Sequence, residues 1–227
     1  MKKLLLLHGA IGAASQFDRL KEELKDRFEI FTMNFSGHGG EVMPEKFSIE
    51  LFAEDVLNFF EKNNLENIDV FGYSMGGYVA LYIASLHKNK INRIFTTATK
   101  FDWNEESSVK ESKMLNPAKI EEKIPAFAKS LEKRHTPQDW KVVLNKTAEM
   151  MIDLGKKPVL SDDVLDKIEN EVLISVGDKD TMVSLEETAN AAGKLKNGKL
   201  FIFADTEHPI EKVDVKKLSE EINKFFI

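Results

Sequence analysis

Residues 68–82 read IDVFGYSMGGYVALY, and no other stretch of the chain limits its fold as tightly. An apolar run (Ile68, Val70, Phe71) enters Gly72-Tyr73-Ser74-Met75-Gly76, and an apolar helical stripe follows. Gly-x-Ser-x-Gly between a strand and a helix is the sequence of a nucleophile elbow. Such a turn is so tight that the serine backbone is strained, and flanking glycines keep side chains from colliding. The predicted result lifts the Ser74 hydroxyl clear of the sheet and aims the Met75 N–H at the same space. The pattern also recurs by chance, so the rest of the chain has to supply a base, an acid and a second oxyanion donor.

Upstream, Lys3–Leu7 is a continuous apolar run, which suits a central parallel strand covered on both faces. It ends in His8-Gly9-Ala10-Ile11-Gly12, a turn whose glycines permit close approach of a ligand and whose Ala10 N–H is placed to donate to an oxyanion. Phe17, Leu20 and Leu24 share a helical face. Phe28–Phe35 reads as the next strand and runs into the loop Ser36-Gly37-His38-Gly39-Gly40. Ile49, Phe52, Val56, Phe59 and Phe60 form a helical stripe, and Val79, Ile83 and Leu86 are the buried face expected after the elbow. Further strands are expected at Ile91–Thr97, Val172–Val176 and Leu200–Phe203, with a last helix burying Val215, Leu218, Ile222 and Phe225. Six strands alternating with helices imply an α/β fold: a doubly wound, mainly parallel six-stranded sheet with helices on both faces.

Between about Phe101 and Leu160 the strand pattern stops. Asn116-Pro117 and Thr136-Pro137 each read as a helix cap followed by proline at the first helical position. Pro125 separates two short helices, and Trp140, Val143, Leu144 and Thr147 mark one face of a longer one. The expected organisation is a core of residues 1–100 and 161–227 with a helical lid insertion, 101–160. Tyr73, Phe101, Trp103, Phe127 and Trp140, together with Met75, Met114 and Met150, are candidates for a substrate pocket beneath that lid; packing within the lid's own small core is the competing reading for its aromatic residues.

Composition removes several classes of function. A net charge of −6 argues against nucleic acid or an anionic membrane surface as partner. The absence of cysteine excludes disulfides, thiolate metal sites and cysteine catalysis. The opening MKKLLLLHGAIG imitates a signal peptide, but His8 cuts the apolar run short of the 7–15 residues such a region needs. No stretch approaches the roughly 20 apolar residues of a membrane span, so a cytoplasmic protein, monomer or homodimer, is expected.

The base must come from five histidines. His208 follows the last expected strand, on the side of the sheet where catalytic groups gather, and comes after every candidate acid. His38 lies on a loop at the same end and is the second candidate. His8 suits a structural hydrogen bond; His87 and His135 suit the surface or the lid. For the acid that orients the imidazole, Asp180 lies just past the Val172–Val176 strand. Asp102 and Asp178 stay open as alternatives, and Asp205 suits a loop-shaping role. Ser184-Leu185-Glu186-Glu187 is a capping box that opens the next helix.

The order Ser74, Asp180, His208 resembles that of the α/β-hydrolase fold superfamily, in its small, lidded, single-domain esterase, lactonase and C–C hydrolase branch. HGAIG resembles the family's oxyanion turn, GYSMGG its elbow, GDKD its acid loop and the EHP segment its histidine loop. Asn34-Phe35-Ser36-Gly37-His38-Gly39 departs from the family's Asp-x-Arg-Gly-x-Gly loop, so no arginine contact carries over there. The resemblance implies a serine hydrolase that acts on a small-molecule acyl substrate, an ester, lactone or thioester, without metal or cofactor. C–C bond hydrolysis or lyase chemistry through the same residues is the alternative, followed by a non-catalytic ligand-binding member of the fold.

Overall fold

The computed structural model describes all residues, 1–227. Its strands are β1 (Lys2–Leu7), β2 (Phe28–Thr32), β3 (Ile68–Tyr73), β4 (Ile91–Thr97), β5 (Glu171–Gly177) and β6 (Gly198–Phe203). The helices are α1 (Asp18–Leu24), α2 (Ile49–Lys62), α3 (Met75–Leu86), α4 (Glu105–Ser112), α5 (Pro117–Lys123), α6 (Pro125–His135), α7 (Trp140–Lys156), α8 (Asp162–Leu165), α9 (Leu185–Lys194) and α10 (Val215–Phe226). All neighbouring strands pair in parallel, in the order β2-β1-β3-β4-β5-β6. The chain moves outward one way from β1 to β2 and the other way from β3 onward. A crevice therefore opens at the carboxyl ends of β1 and β3, where a doubly wound sheet places its ligands.

Strand periodicity splits the core into two layers. Leu5, Leu7, Val70, Ile94 and Ile174 face the side that α2, α3 and α9 cover. Leu4, Leu6, Phe71, Phe95 and Leu173 face the other, against α1 and α10. Because both faces are buried, β1 carries the unbroken apolar run Leu4–Leu7 rather than alternation, and β3 is apolar apart from Asp69, which pairs with Arg93. α3 is enclosed nearly all round, with residues 75–81 buried, and it fixes the elbow against the centre of the sheet.

Several expected details differ. The second strand ends at Thr32 rather than Phe35, because Phe35 turns inward to join the cluster with Phe47 and Phe52. Leu86 is exposed at the last turn of α3. Thr136-Pro137 does not start a helix: Thr136 ends α6, and Asp139 caps α7 by accepting from the Lys141 N–H. At Asn116-Pro117 the expected cap is present, with the Asn116 side chain accepting from the Lys119 N–H. Phe226 rather than Phe225 is the fully buried residue at the end of α10. No helix is long and apolar enough to cross a membrane.

Between β4 and β5 the chain forms only helices, α4 to α8, so the helical run extends past residue 160 to Leu165. α4 and α7 pack together, with Gly155 so close to Ser108 that a methyl group there would collide with its side chain. α5, α6 and the first two turns of α7 share a small apolar cluster of Ile120, Ala128, Leu131, Trp140 and Leu144.

Candidate active site

Ser74, between β3 and α3, has φ 51° and ψ −117°, a region that residues with a side chain seldom occupy. Its N–H donates to the Thr97 carbonyl at 2.8 Å, and its own carbonyl accepts from Gly77 N–H, Tyr78 N–H and Thr99 Oγ1. These bonds hold the strained residue from both sides. The glycines are needed for close approach: a Cβ on Gly72 would strike Gly77, and one on Gly76 would strike the Leu7 carbonyl. Met75 is the first residue of α3, so its N–H has no acceptor within the helix.

The turn after β1 closes through Gly12 N–H donating to the Gly9 carbonyl at 3.1 Å. That bond leaves the Ala10 N–H outside the turn, and Ala10, Ser74 and Met75 line one cavity. Ile11 adopts φ 53°, and its carbonyl accepts from Arg134 Nη1 and His135 Nε2, each at 3.0 Å. Helix α6 thus grips the turn that presents Ala10.

The loops after β5 and β6 are laced together by Asp178 N–H donating to the Phe203 carbonyl and Lys179 N–H donating to the Thr206 carbonyl, both at 3.0 Å. This brings His208 Nδ1 within 2.7 Å of Asp180 Oδ2. Asp180 Oδ1 accepts from the Met182 and Val183 N–H groups at 2.8 Å each, and its side chain is fully buried. Both carboxylate oxygens are therefore occupied and cannot swing away. With Nδ1 engaged, Nε2 is the His208 nitrogen free to exchange a proton. Tyr73 packs beside the imidazole and donates from its hydroxyl to the His208 carbonyl at 3.0 Å. Burial pushes the Tyr73 hydroxyl well above its usual titration range, so it serves as a neutral donor.

The competing acids lie elsewhere. Asp102 is exposed and accepts from Asn104, Asp178 accepts from the Thr206 N–H, and Asp205 pairs with Lys179 on the surface. His38, the second candidate base, is fully buried against Phe47, with Nδ1 turned to the Ser36 carbonyl. It lies near His8 and His135, with ring centroids 5.4 and 5.8 Å away. His8 Nε2 accepts from the Phe35 N–H, a structural bond. His135 belongs to the helical insertion but is buried rather than on the surface, because it reaches down to Ile11 and Gly39. His87 is exposed.

A cavity of about 270 Å³ rises over Ser74 and His208, walled mainly by apolar side chains. Tyr73, Met75, Trp103, Met114, Phe127 and Met150 all line it. Phe101 and Trp140 do not. Phe101 turns back against the core near Tyr78, and Trp140 sits in the insertion's own cluster with Leu131 and Leu144. Sequence reasoning passed over Gln16, Lys100, Glu111, Arg134 and Glu211 on the cavity wall. Only packing turns these polar side chains inward. Lys100 pairs with the half-buried Glu187 at 3.5 Å, and Arg134 with Glu211 at 3.0 Å.

Residues 2–134 match the alpha/beta hydrolase fold family. The chain belongs to that family. This alpha/beta hydrolase is 25% identical to a pimeloyl-[acyl-carrier protein] methyl ester esterase from Neisseria meningitidis, over 92% of its own length and 71% of the relative's. Solved structures share its fold. A thermophilic esterase from Thermogutta terrifontis superposes with TM-score 0.79 at 18% identity, covering 99% of this chain and 89% of that one. An enol-lactonase from Burkholderia xenovorans superposes with TM-score 0.78 at 17% identity, covering 99% and 90%.

Proposed function

We propose that this alpha/beta hydrolase is a serine esterase for a small carboxylic ester, with Ser74, His208 and Asp180 as its catalytic residues. The observation that carries the reading is the 2.7 Å bond from His208 Nδ1 to the doubly anchored Asp180, in the same cavity as the strained Ser74. His208 Nε2 takes the Ser74 proton as Oγ attacks the ester carbonyl carbon. The negative charge that forms on the carbonyl oxygen is met by the Ala10 and Met75 N–H groups. Asp180 stabilises the imidazolium, which then protonates the departing alkoxide as the C–O bond breaks. Water, deprotonated by His208, attacks the acyl group on Ser74 and releases the acid and the free hydroxyl.

Residues 101–160 act as the lid that shapes the acyl site, since Trp103, Met114, Phe127 and Met150 form much of its wall. A cavity of about 270 Å³ lies just below the roughly 300 Å³ at which drug-sized ligand sites begin, which favours a short or medium acyl chain. An ester is preferred over a lactone or thioester because a sequence match that spans 92% of the chain is to a methyl ester esterase.

Covalent labelling tests the reading. A fluorophosphonate should add one mass equivalent to the wild-type protein, mapped to Ser74, and p-nitrophenyl hexanoate should turn over. Ser74→Ala should remove the label and lower kcat by about 10⁴-fold or more. A labelled Ser74→Ala variant, or an unlabelled wild type, would discard the assignment.

A further inference from the structure

Four charged groups stand on the cavity wall, Lys100 at the exit of β4, Glu111 on α4, Arg134 on α6 and Glu211 after β6, and they are not equivalently paired. Lys100 has the half-buried Glu187 as counter-ion and a further bond to the Met182 carbonyl at 3.3 Å. Arg134 has Glu211 and the Ile11 carbonyl. Glu111 has neither. It lines the cavity from α4 with Met114, Met150, Met151 and Leu154, is 7% exposed, and its carboxylate accepts no hydrogen bond within the protein. Its nearest cation is Lys110 Nζ at 3.7 Å, beyond hydrogen-bonding distance on a side chain that is 71% exposed.

A carboxyl group withdrawn from bulk water normally collects donors from the protein around it. Of the cavity's side chains, Met114, Met150, Met151 and Leu154 have none to give, and the donors Gln16, Lys100, Trp103 and Arg134 make no hydrogen bond to Glu111. The cavity is the direction from which a donor can arrive. An apolar chain laid against Glu111 would displace solvent and offer nothing in return; a second anion would meet like charge at low dielectric. A group with N–H or O–H bonds meets neither penalty.

We infer that Glu111 is the specificity-determining residue of this cavity: it receives a hydrogen-bond-donating end of the substrate, an ammonium group before a hydroxyl, and rejects a carboxylate. The inference rests on the esterase reading for the identity of the reacting bond, and it deepens that reading by naming the substrate class. The preferred ester carries its donor on the acyl chain, several bonds away from the carbonyl that Ser74 attacks.

Matched p-nitrophenyl esters test it: hexanoate, 6-aminohexanoate, 6-hydroxyhexanoate and the adipate monoester. Wild-type kcat/KM should be at least roughly tenfold higher for the amino ester than for the adipate ester, with the hydroxy ester between them. Glu111→Gln, which keeps the shape and removes the charge, should bring the amino-to-adipate ratio to within about threefold of one. The ratio is independent of any common loss from imperfect folding, and thermal melting of both proteins checks the fold directly. Equal wild-type rates for the four esters, or a ratio that Glu111→Gln leaves unmoved, would overturn the assignment. Should no ester turn over, the esterase reading fails, and calorimetry with 6-aminohexanamide, hexanamide and adipamate still decides about Glu111. Tighter binding of the amino amide, lost in Glu111→Gln, supports the site, and equal binding of all three removes it.

Discussion

His135 donates from Nε2 to the Ile11 carbonyl at 3.0 Å, tying helix α6 to the turn that carries Ala10. Its other nitrogen, Nδ1, accepts from the Gly39 N–H at 3.2 Å. Both bonds exist together only on a neutral imidazole, since a protonated ring has no lone pair for Gly39. His8 is fixed in the same way, with Nε2 accepting from Phe35 N–H and Nδ1 donating to the Gly9 carbonyl. Burial holds His135 down to about 4 and His8 down to about 3, and it also depresses His38 well below the ordinary value.

Acid should therefore loosen this protein before its carboxylates titrate. In the unfolded chain these histidines take protons near pH 6.5, whereas in the native state they refuse them until far lower. A depressed native value means stability that is fully present above pH 6.5 and is lost as pH falls toward 4 and then 3. The slope is about 1.4 kcal/mol per pH unit for each histidine within its window. Urea unfolding at pH 7, 6, 5.5 and 5 should show a steadily falling midpoint, and His135→Asn should remove one histidine's share of the slope. A midpoint that stays flat from pH 7 to 5 would contradict this account.

The assignment of the acid makes a second prediction. Asp180→Asn keeps the shape of the carboxylate but offers His208 an amide, which favours the wrong tautomer and leaves the imidazolium without a counter-charge. A fall in kcat of about 10⁴-fold is expected, with melting temperature changed far less than activity. Asp102→Asn should remain within about threefold of wild type, because the Asp102 carboxylate is solvated and bonded only to Asn104. If Asp102→Asn were the crippled variant, the acid would have been misassigned.

The elements most legible in the sequence were those governed by short-range rules. Strand runs with both faces buried, the glycine pattern about Ser74 and the caps at Asn116 and Ser184 each depend on a few adjacent residues. The pairing of Asp180 with His208 could be anticipated because parallel topology puts the ends of β5 and β6 side by side. What escaped were tertiary decisions. Trp140 and Trp103 are both aromatic residues of the insertion, yet one fills the cluster under α5 and α6 while the other faces the cavity. Nothing in their neighbours distinguishes them. Glu111 lies on a short helix with charged residues on both sides, and its burial follows from how α4 meets α7, a contact set by Ser108 and Gly155 across 40-odd residues of chain.

The conformation of Ser74 allows the elbow strain to be measured directly. At φ 51° and ψ −117°, any residue with a Cβ is strained, and the cost is of order 1–3 kcal/mol. Glycine takes such angles freely, but it also raises the entropy of the unfolded chain by about 0.4–1 kcal/mol. Comparing Ser74→Gly with Ser74→Ala separates the backbone from the lost hydroxyl, because both variants lack Oγ. The strain exceeds the entropic penalty, so Ser74→Gly should be the more stable of the two by about 1 kcal/mol. For a chain of this length that corresponds to a melting temperature about 2–4 °C higher. If the alanine variant melted at the same temperature or above, the elbow would store no strain, and the bonds from Ser74 to Thr97, Gly77 and Thr99 would be holding a relaxed turn.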